Sequence, residues 1–223
     1  VNTDMIDMFN GMVDEMFEYG RDILNAKRNN PSDDLLSAIA NAELEGQKLS
    51  PEFLDGSWLL IIFAGNDTTR NALSGAIKLL TENPDQKQKL IENPELMPNF
   101  LQECIRMVSP VIHMRRTTTC ETELSGQLMG PGEKIVMWYG AANRDPSVFS
   151  NPDKFDIERE NADKHLAFGI GRHTCVGKPV ALMQLEESYK QILSRFPNIR
   201  MSGNWKVAPN NFVHAIQEMP VKF

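Results

Sequence analysis

The 223 residues are enough to bury one sizeable core or two small ones, and 41% hydrophobic with 24% charged residues is typical of a soluble globular protein. A net charge of −7 argues against a nucleic-acid partner, because nucleic-acid binders are usually basic. No apolar run approaches the roughly 20 residues of a transmembrane helix. The three cysteines are far apart and odd in number, which argues against a disulfide framework and favours a reducing, cytoplasmic location.

Helical periodicity dominates the first half of the sequence. Ser32 is predicted to cap a short helix, with acidic residues in its first turn. Ser50 is followed by Pro51 and Glu52, a strong signal for a helix start, and the helical pattern then continues to Glu82. At about 1.5 Å per residue this helix would be roughly 50 Å long. The other helices predicted before residue 110 span residues 5–27, 85–92 and 98–107.

The second half of the sequence mixes strand, turn and helix patterns. Residues 116–124 and 133–139 are rich in β-type residues around glycine-containing turns, whereas residues 143–164 are polar and lack periodicity. A last long helix is predicted over residues 176–195, and short strands and turns are expected in residues 198–223. The predicted fold class is therefore mainly α with small β-sheets (α+β).

Cys175 lies in the segment Phe168-Gly-Ile-Gly-Arg-His-Thr-Cys-Val-Gly177, where Gly169, Gly171 and Gly177 flank it. Glycine permits positive φ and a close approach of the backbone to a flat ligand. The helix predicted to follow directs its free amides and positive dipole end at the sulfur, which favours the metal-binding thiolate. The alternative is a buried structural cysteine beside a glycine-rich turn.

Two weaker motifs lie on predicted helices. Glu103 and Arg106 are three residues apart and can pair on one helix face, although an ordinary surface ion pair is the alternative. In the long helix, Gly65 lowers helix stability by about 1 kcal/mol relative to alanine and opens space beside the helix. Asp67 and Thr68 follow it, and a mid-helix hydroxyl alternatively bonds back to a carbonyl one turn earlier.

Taken together, these motifs resemble the cytochrome P-450 superfamily. The spacing Phe168-x-x-Gly171-x-x-x-Cys175-x-Gly177 is similar to the family's haem-binding loop, and Phe155-Asp-Ile-Glu-Arg159 is similar to the segment that precedes it. The motifs occur in the family's order: oxygen helix, Glu-x-x-Arg helix, meander and cysteine loop. Family members are usually about twice as long, so the resemblance implies the C-terminal portion of the fold. Residues 1–223 would form a single, partial haem-binding catalytic domain.

The resemblance implies haem b (iron protoporphyrin IX) as cofactor, with Cys175 as the axial iron ligand and dioxygen as co-substrate. Asp67 would relay protons, and Thr68 would hold the iron-bound dioxygen and its water. The residues implied to contact the haem besides Cys175 are His173, Arg116, Phe168, Gly169, Gly171, Gly177 and Gly65. His165 is less clearly a propionate ligand and is alternatively a satisfied structural histidine.

Two further sets of residues follow from the resemblance. A carboxylate bonded to two guanidinium groups would form a structural network of Glu103, Arg106 and Arg159. The candidates for the substrate pocket are Val111, Ile112, Asn211 and Phe212. An apolar pocket suits an apolar substrate, but apolar residues at these positions are alternatively part of the core.

The implied reaction is monooxygenation, with electrons passing from NAD(P)H through a ferredoxin reductase and a ferredoxin. Lys164, Arg172 and Lys178 place positive charge around the cysteine loop, where an acidic ferredoxin could dock; the alternative is scattered solvated charge. The segments 66–71, 113–117 and others look similar to bacterial soluble hydroxylases of the terminal carbon of alkanes and fatty acids. A steroid side-chain hydroxylase, or a haem-binding protein that is not an oxygenase, is the alternative.

Overall fold

A computed structural model describes residues 3–223, apart from the side chains of Thr3 and Met5. Helices dominate and the sheets are small, so the predicted fold class is confirmed. The helices are α1 (Thr3–Asn29), α2 (Leu35–Asn41), α3 (Pro51–Glu82), α4 (Pro84–Glu92), α5 (Met97–Val108), α6 (Tyr139–Ala142) and α7 (Lys178–Arg195). The strands are β1 (Glu43–Leu44), β2 (Gln47–Lys48), β3 (His113–Thr117), β4 (Thr122–Leu124), β5 (Gln127–Met129), β6 (Lys134–Trp138), β7 (Arg200–Met201), β8 (Lys206–Val207), β9 (Ile216–Glu218) and β10 (Val221–Lys222).

The start of α2 differs from the prediction, because Asp34 and not Ser32 caps this helix. The Asp34 carboxylate accepts a hydrogen bond from the Ser37 amide at 2.7 Å, while the Ser32 hydroxyl donates to Asp34 itself. Hydrogen bonds from the Lys27 ammonium, the Ser32 hydroxyl and the Ser37 amide hold the pKa of Asp34 below its ordinary value. A carboxylate is the stronger acceptor at a helix N-terminus, so it takes the capping position.

The structure separates into two compact units, and the boundary lies inside α3, after Gly65. The single catalytic domain predicted for residues 1–223 stays a prediction. In the first unit, the indole of Trp58 donates to the Met16 carbonyl at 3.0 Å and belongs to a small core. A Cβ at Gly20 would lie 2.5 Å from the Trp58 ring, so this close approach requires glycine.

The second unit packs α5, α7 and the part of α3 after Gly65 around a larger core. The rings of Phe100 and Tyr189 meet edge to face at 5.1 Å, and the Tyr189 hydroxyl donates to the Leu73 carbonyl at 2.6 Å. A Cβ at Gly75 would lie 2.6 Å from Val108, which shows how closely α3 approaches α5.

The small sheets are two-stranded and antiparallel: β1 pairs with β2, β3 with β6, β4 with β5, β7 with β10 and β8 with β9. In the β3–β6 pair, His113 lies opposite Trp138 and Arg116 lies opposite Ile135. Within the described residues 3–223, no helix combines the length and the apolar character needed to cross a membrane.

Candidate functional site

The loop that carries Cys175 is closed by its own backbone. The Cys175 amide donates to the Phe168 carbonyl at 2.8 Å. Gly169 and Gly171 have φ angles of +70° and +66°, in the left-handed region that favours glycine. A Cβ at Gly169 would also lie 2.9 Å from the carbonyl oxygen of His173. Conformation and sterics therefore both require the Gly169 of the predicted motif, and conformation requires Gly171.

The N-terminus of α7 follows the candidate ligand directly. The helix begins at Lys178, two residues later than predicted, with Gly177 at its N-cap and Pro179 in its first turn. The free amides and the positive dipole end of a helix N-terminus stabilise a nearby thiolate. A Cβ at Gly177 would lie 3.8 Å from the Cys175 sulfur, an ordinary contact, so neither space nor backbone conformation requires glycine at this position.

The surroundings of Cys175 fit a flat, apolar group held by one sulfur ligand. Cys175 itself is exposed, and so are apolar side chains close to it in the chain: Ile170 is 74%, Val176 80% and Val180 51% exposed. Exposed apolar surface of this kind marks binding sites. Within residues 3–223 no cluster of His, Cys, Asp or Glu could hold a metal ion by itself. A single exposed thiol among apolar side chains is a setting that a haem would fit.

The other two cysteines have different environments. Cys104 is buried in the core of the second unit, where burial and the neighbouring Glu103 charge raise the pKa of its thiol well above the ordinary value. Cys120 is exposed, and its sulfur lies 3.9 Å from the Thr122 hydroxyl. Of the three cysteines, only Cys175 combines an exposed thiol with a helix N-terminus.

Glu103, Arg106 and Arg159 lie together in the interior. Arg106 donates to both Glu103 oxygens at 2.7 and 2.8 Å, and the Nε of Arg159 lies 3.1 Å from each of them. The Asp156 amide adds a further hydrogen bond to Glu103 at 3.1 Å. The arginines also donate to main-chain carbonyls of Asn143, Ser150, Asn151, Pro152 and Lys154. The network therefore fixes the polar segment of residues 143–164, for which the sequence pattern predicted no regular secondary structure.

Asn143 connects this network to the start of the cysteine loop. Its carbonyl accepts from Arg106 at 2.7 Å, and its side chain donates to the Ser109 hydroxyl at 2.8 Å. The side-chain oxygen of Asn143 accepts from the Leu166 amide at 2.6 Å. Asn143 was not among the predicted site residues, because an asparagine in a polar segment does not indicate which distant groups it bonds.

His165 lies at the same end of the loop and is 7% exposed. Its Nε2 lies 3.1 Å from the Gln102 side-chain oxygen, and its Nδ1 accepts from the Ala167 amide at 3.2 Å. Burial, with a smaller effect of Lys178, lowers the pKa of His165 to about 4. Both ring nitrogens are engaged within the protein, which favours the structural alternative over a propionate ligand.

On α3, Asp67 and Thr68 are both half-buried. The Arg70 guanidinium donates to the Asp67 carboxylate at 2.5 Å, and the Asn71 side chain donates to the Asp67 carbonyl at 2.8 Å. The side chain and the backbone of Asp67 are therefore both fixed by residues of the next helical turn. A Cβ at Gly65 would meet no atom within 4 Å.

The two predicted propionate ligands lie on different elements. Arg116 is half-buried on β3, where its guanidinium donates to the Arg115 carbonyl at 3.0 Å. His173 is exposed at the end of the 3-10 turn Gly171–His173.

The predicted pocket residues come from two chain segments that meet. The Ile112 amide donates to the Phe212 carbonyl at 2.8 Å, and Val111 forms a bridge with Val213, while Asn211 is exposed beside them. Ile112 also lines a cavity of about 570 Å³. Asp67, Thr68 and Cys175 do not line this cavity.

The sequence model of the Cytochrome P450 family matches residues 2–216. A steroid C26-monooxygenase from Mycolicibacterium smegmatis is 38% identical over 208 residues, which is 92% of this chain and 52% of that protein. A linalool 8-monooxygenase from Pseudomonas putida is 37% identical over 213 residues, 96% of this chain and 50% of that protein.

Among solved structures, cytochrome P450-153 from Novosphingobium aromaticivorans superposes with a TM-score of 0.87 at 38% identity, over 99% of this chain and 55% of that one. The chain thus spans about half the length of the curated relatives it matches. The family match and these relatives show that the chain belongs to the cytochrome P450 family.

Proposed function

We propose that this protein is a haem-thiolate monooxygenase in which Cys175 is the axial ligand of haem b. When bound, the haem supplies the activation of dioxygen and the transfer of one oxygen atom to the substrate. The observation that carries the proposal is the exposed Cys175 thiol, set in a glycine loop at the N-terminus of α7 beside exposed apolar side chains. The names of the relatives support oxygen insertion as the reaction.

Each remaining site residue has a role that its position supports. Arg116 and His173 supply cationic or hydrogen-bonding groups for the two haem propionates. Asp67 would relay solvent protons, taking each one on its carboxylate and releasing it again, and the Thr68 hydroxyl would hold the dioxygen and its water by hydrogen bonds. The Arg70 guanidinium, 2.5 Å from the Asp67 carboxylate, orients that carboxylate for the transfer.

The absorption spectrum of the reduced, carbon-monoxide-bound protein tests the ligand. We expect the red-shifted band of thiolate ligation in the wild type and in Cys120→Ser, which removes the other exposed thiol. Cys175→Ser should bind haem weakly and lack the band, because a hydroxyl is a poor substitute for a thiolate. Persistence of the band in Cys175→Ser, or its absence from the wild type, would refute the proposal.

Electrons are proposed to enter from a ferredoxin that NAD(P)H reduces through a ferredoxin reductase. Lys164 and Arg172 are exposed near the cysteine loop. Lys178 is less accessible, because it is half-buried and its ammonium lies 5.6 Å from the Phe168 ring centroid. Exposed cations accelerate encounter with an acidic partner, most strongly at low salt. Charge reversal of Lys164 and Arg172 should therefore slow haem reduction by ferredoxin several-fold at low ionic strength.

A matched double variant reverses the charge of two exposed lysines outside the cysteine loop, Lys134 on β6 and Lys222 on β10. It changes the net charge by the same amount as the loop variant but leaves the cysteine loop intact. Equal reduction rates for the two double variants at low salt would argue against a docking site at the loop.

The proposed substrate is an apolar molecule, hydroxylated at the terminal carbon of a medium-chain alkane or fatty acid. Ile112 and Phe212, joined at 2.8 Å through their backbones, supply apolar lining for such a chain. The steroid C26-monooxygenase among the relatives favours a second candidate, a steroid side chain. Product analysis with octane, a fatty acid and a sterol in parallel decides between them, and turnover of the sterol alone would exclude the alkane.

A further inference from the structure

The hydrogen bonds of His165 fix its tautomer. Its Nδ1 accepts from the Ala167 amide at 3.2 Å, so this nitrogen carries no proton. The proton of the neutral ring is then on Nε2, which donates to the Gln102 side-chain oxygen at 3.1 Å. A doubly protonated ring would place an N–H against the Ala167 N–H, and the bond to the loop would be lost.

The surroundings of His165 disfavour that second proton. Its ring is buried, the Lys178 ammonium of α7 and the Arg106 guanidinium of α5 both oppose a positive charge on it, and Asp163 acts in the other direction. Gln102 from α5 is a neutral partner, and Phe168 contacts the ring with centroids 5.7 Å apart. Desolvation and two cations therefore outweigh one carboxylate, and the ring stays neutral at physiological pH.

The chain that His165 holds leads directly to the candidate ligand. Ala167 receives the Nδ1 contact, and the next residue, Phe168, accepts the Cys175 amide at 2.8 Å. The Leu166 carbonyl accepts the Gly169 amide at 2.8 Å, so residues 166–169 form one hydrogen-bonded turn. Displacement of Ala167 therefore moves the Phe168 carbonyl, which accepts the hydrogen bond from the Cys175 amide.

We propose that neutral His165 is a positioning residue of the cysteine loop, which through Ala167 and Phe168 keeps the Cys175 sulfur in its ligating position. The effect on haem ligation rests on the proposed haem-thiolate function. The hydrogen bonds from His165 to Ala167 and from Cys175 to Phe168 are present in this chain without haem. His165 thus holds Ala167, the residue after the Leu166 that Asn143 holds.

Two substitutions distinguish the effect of the hydrogen-bond acceptor from the effect of the ring volume at position 165. In His165→Asn the side-chain oxygen is as many bonds from the backbone as Nδ1 and can accept from Ala167, whereas His165→Phe keeps the ring volume without an acceptor. In the haem-loaded protein expressed from its complete reading frame, His165→Phe should lower the ratio of thiolate to non-thiolate haem roughly tenfold at neutral pH, since the part-buried Ala167 amide loses its hydrogen-bond partner. His165→Asn should retain the wild-type ratio at neutral pH. In acid the thiolate form should decline in the wild type but not in His165→Asn, because the asparagine side chain does not take up a proton.

Hydrogen–deuterium exchange provides a readout that does not depend on haem. The amides of residues 167 and 175 should exchange roughly tenfold faster in His165→Phe than in the wild type, and at the wild-type rate in His165→Asn. Equal exchange and equal spectra for wild type and His165→Phe would overturn the inference, as would an Asn variant as defective as the Phe variant. A wild type without the thiolate band, but with this exchange pattern, would overturn the proposed function and leave the positioning role supported.

Discussion

At the scale of single residues, Glu103 is notable because one carboxylate serves two guanidinium groups away from water. Glu103 and Arg106 are fully buried and Arg159 is 8% exposed. Buried charges are costly unless each has a partner with good geometry. The two arginines direct their remaining N–H groups to backbone carbonyls, so the stability of a loop without regular secondary structure depends on this one carboxylate.

Replacement of Glu103 by glutamine should therefore be severe. The amide is neutral and presents one acceptor oxygen to two guanidinium groups, so we expect a loss of about 3–5 kcal/mol in the free energy of unfolding. Urea denaturation measures it. The control is Glu158→Gln, which removes the exposed ion pair with Lys89 and should change stability little. Similar losses in both variants would show that the buried network is not specially important.

The lowered pKa of His165 predicts a dependence of stability on pH. The folded protein holds this pKa at about 4, below the 6.5 of an unperturbed histidine, so the unfolded chain binds the proton more readily. The stabilisation is complete above pH 6.5 and is lost as the pH falls from 6.5 towards 4. The loss should not exceed about 3 kcal/mol. Unfolding free energies across this range should fall less steeply in His165→Asn than in wild type, and parallel curves would contradict the assignment.

The motif residues were accessible from sequence, whereas their partners were not. Cys175, Gly169 and Gly171 could be predicted because their spacing is local and the backbone they form needs glycine. Asn143 and Gln102 could not, since each acts through hydrogen bonds to chain segments more than twenty residues away. Long-range side-chain bonds leave no periodic pattern in a single sequence.

At the scale of elements, α3 carries glycines in different environments. A Cβ at Gly75 would lie 2.6 Å from Val108 of α5, whereas one at Gly56 would meet no atom within 4 Å. The helix was predicted correctly from its start signal at Ser50, whose hydroxyl accepts the Phe53 amide at 3.3 Å. The close packing at Gly75 was not predictable, because it depends on which helix face meets α5.

Alanine substitutions at these two positions should have opposite effects. Gly75→Ala should lower the free energy of unfolding by about 1–3 kcal/mol through overpacking. Gly56→Ala should raise it by up to about 1 kcal/mol through helix propensity. Thermal or urea unfolding of each variant measures the difference. In a double variant, Val108→Ala should recover part of the Gly75→Ala loss, and additive losses would show that the two side chains do not compete for the same space.

At the scale of the whole molecule, the two units have cores of different size. Among the described residues of the first unit, the buried apolar ones are Leu24, Ala40, Leu54 and Trp58. The core of the second unit takes residues from α3, α4, α5 and α7 and from the segment around Phe155. Burial of apolar surface is the main stabilising contribution, so the first unit is expected to open at a lower free energy than the second.

Native-state hydrogen exchange tests this order. The amides of α2 and of the middle of α1 should exchange at lower opening free energies than those of α5 and α7. Trp58→Ala should accelerate the first set, since loss of a large buried side chain costs about 3–5 kcal/mol, and leave the second set unchanged. Leu101→Ala, at a buried position on α5, should produce the reverse pattern. If Trp58→Ala accelerated α5 and α7 to the same extent as α1 and α2, the chain would open as one cooperative body, because α3 would then transmit the loss across its length.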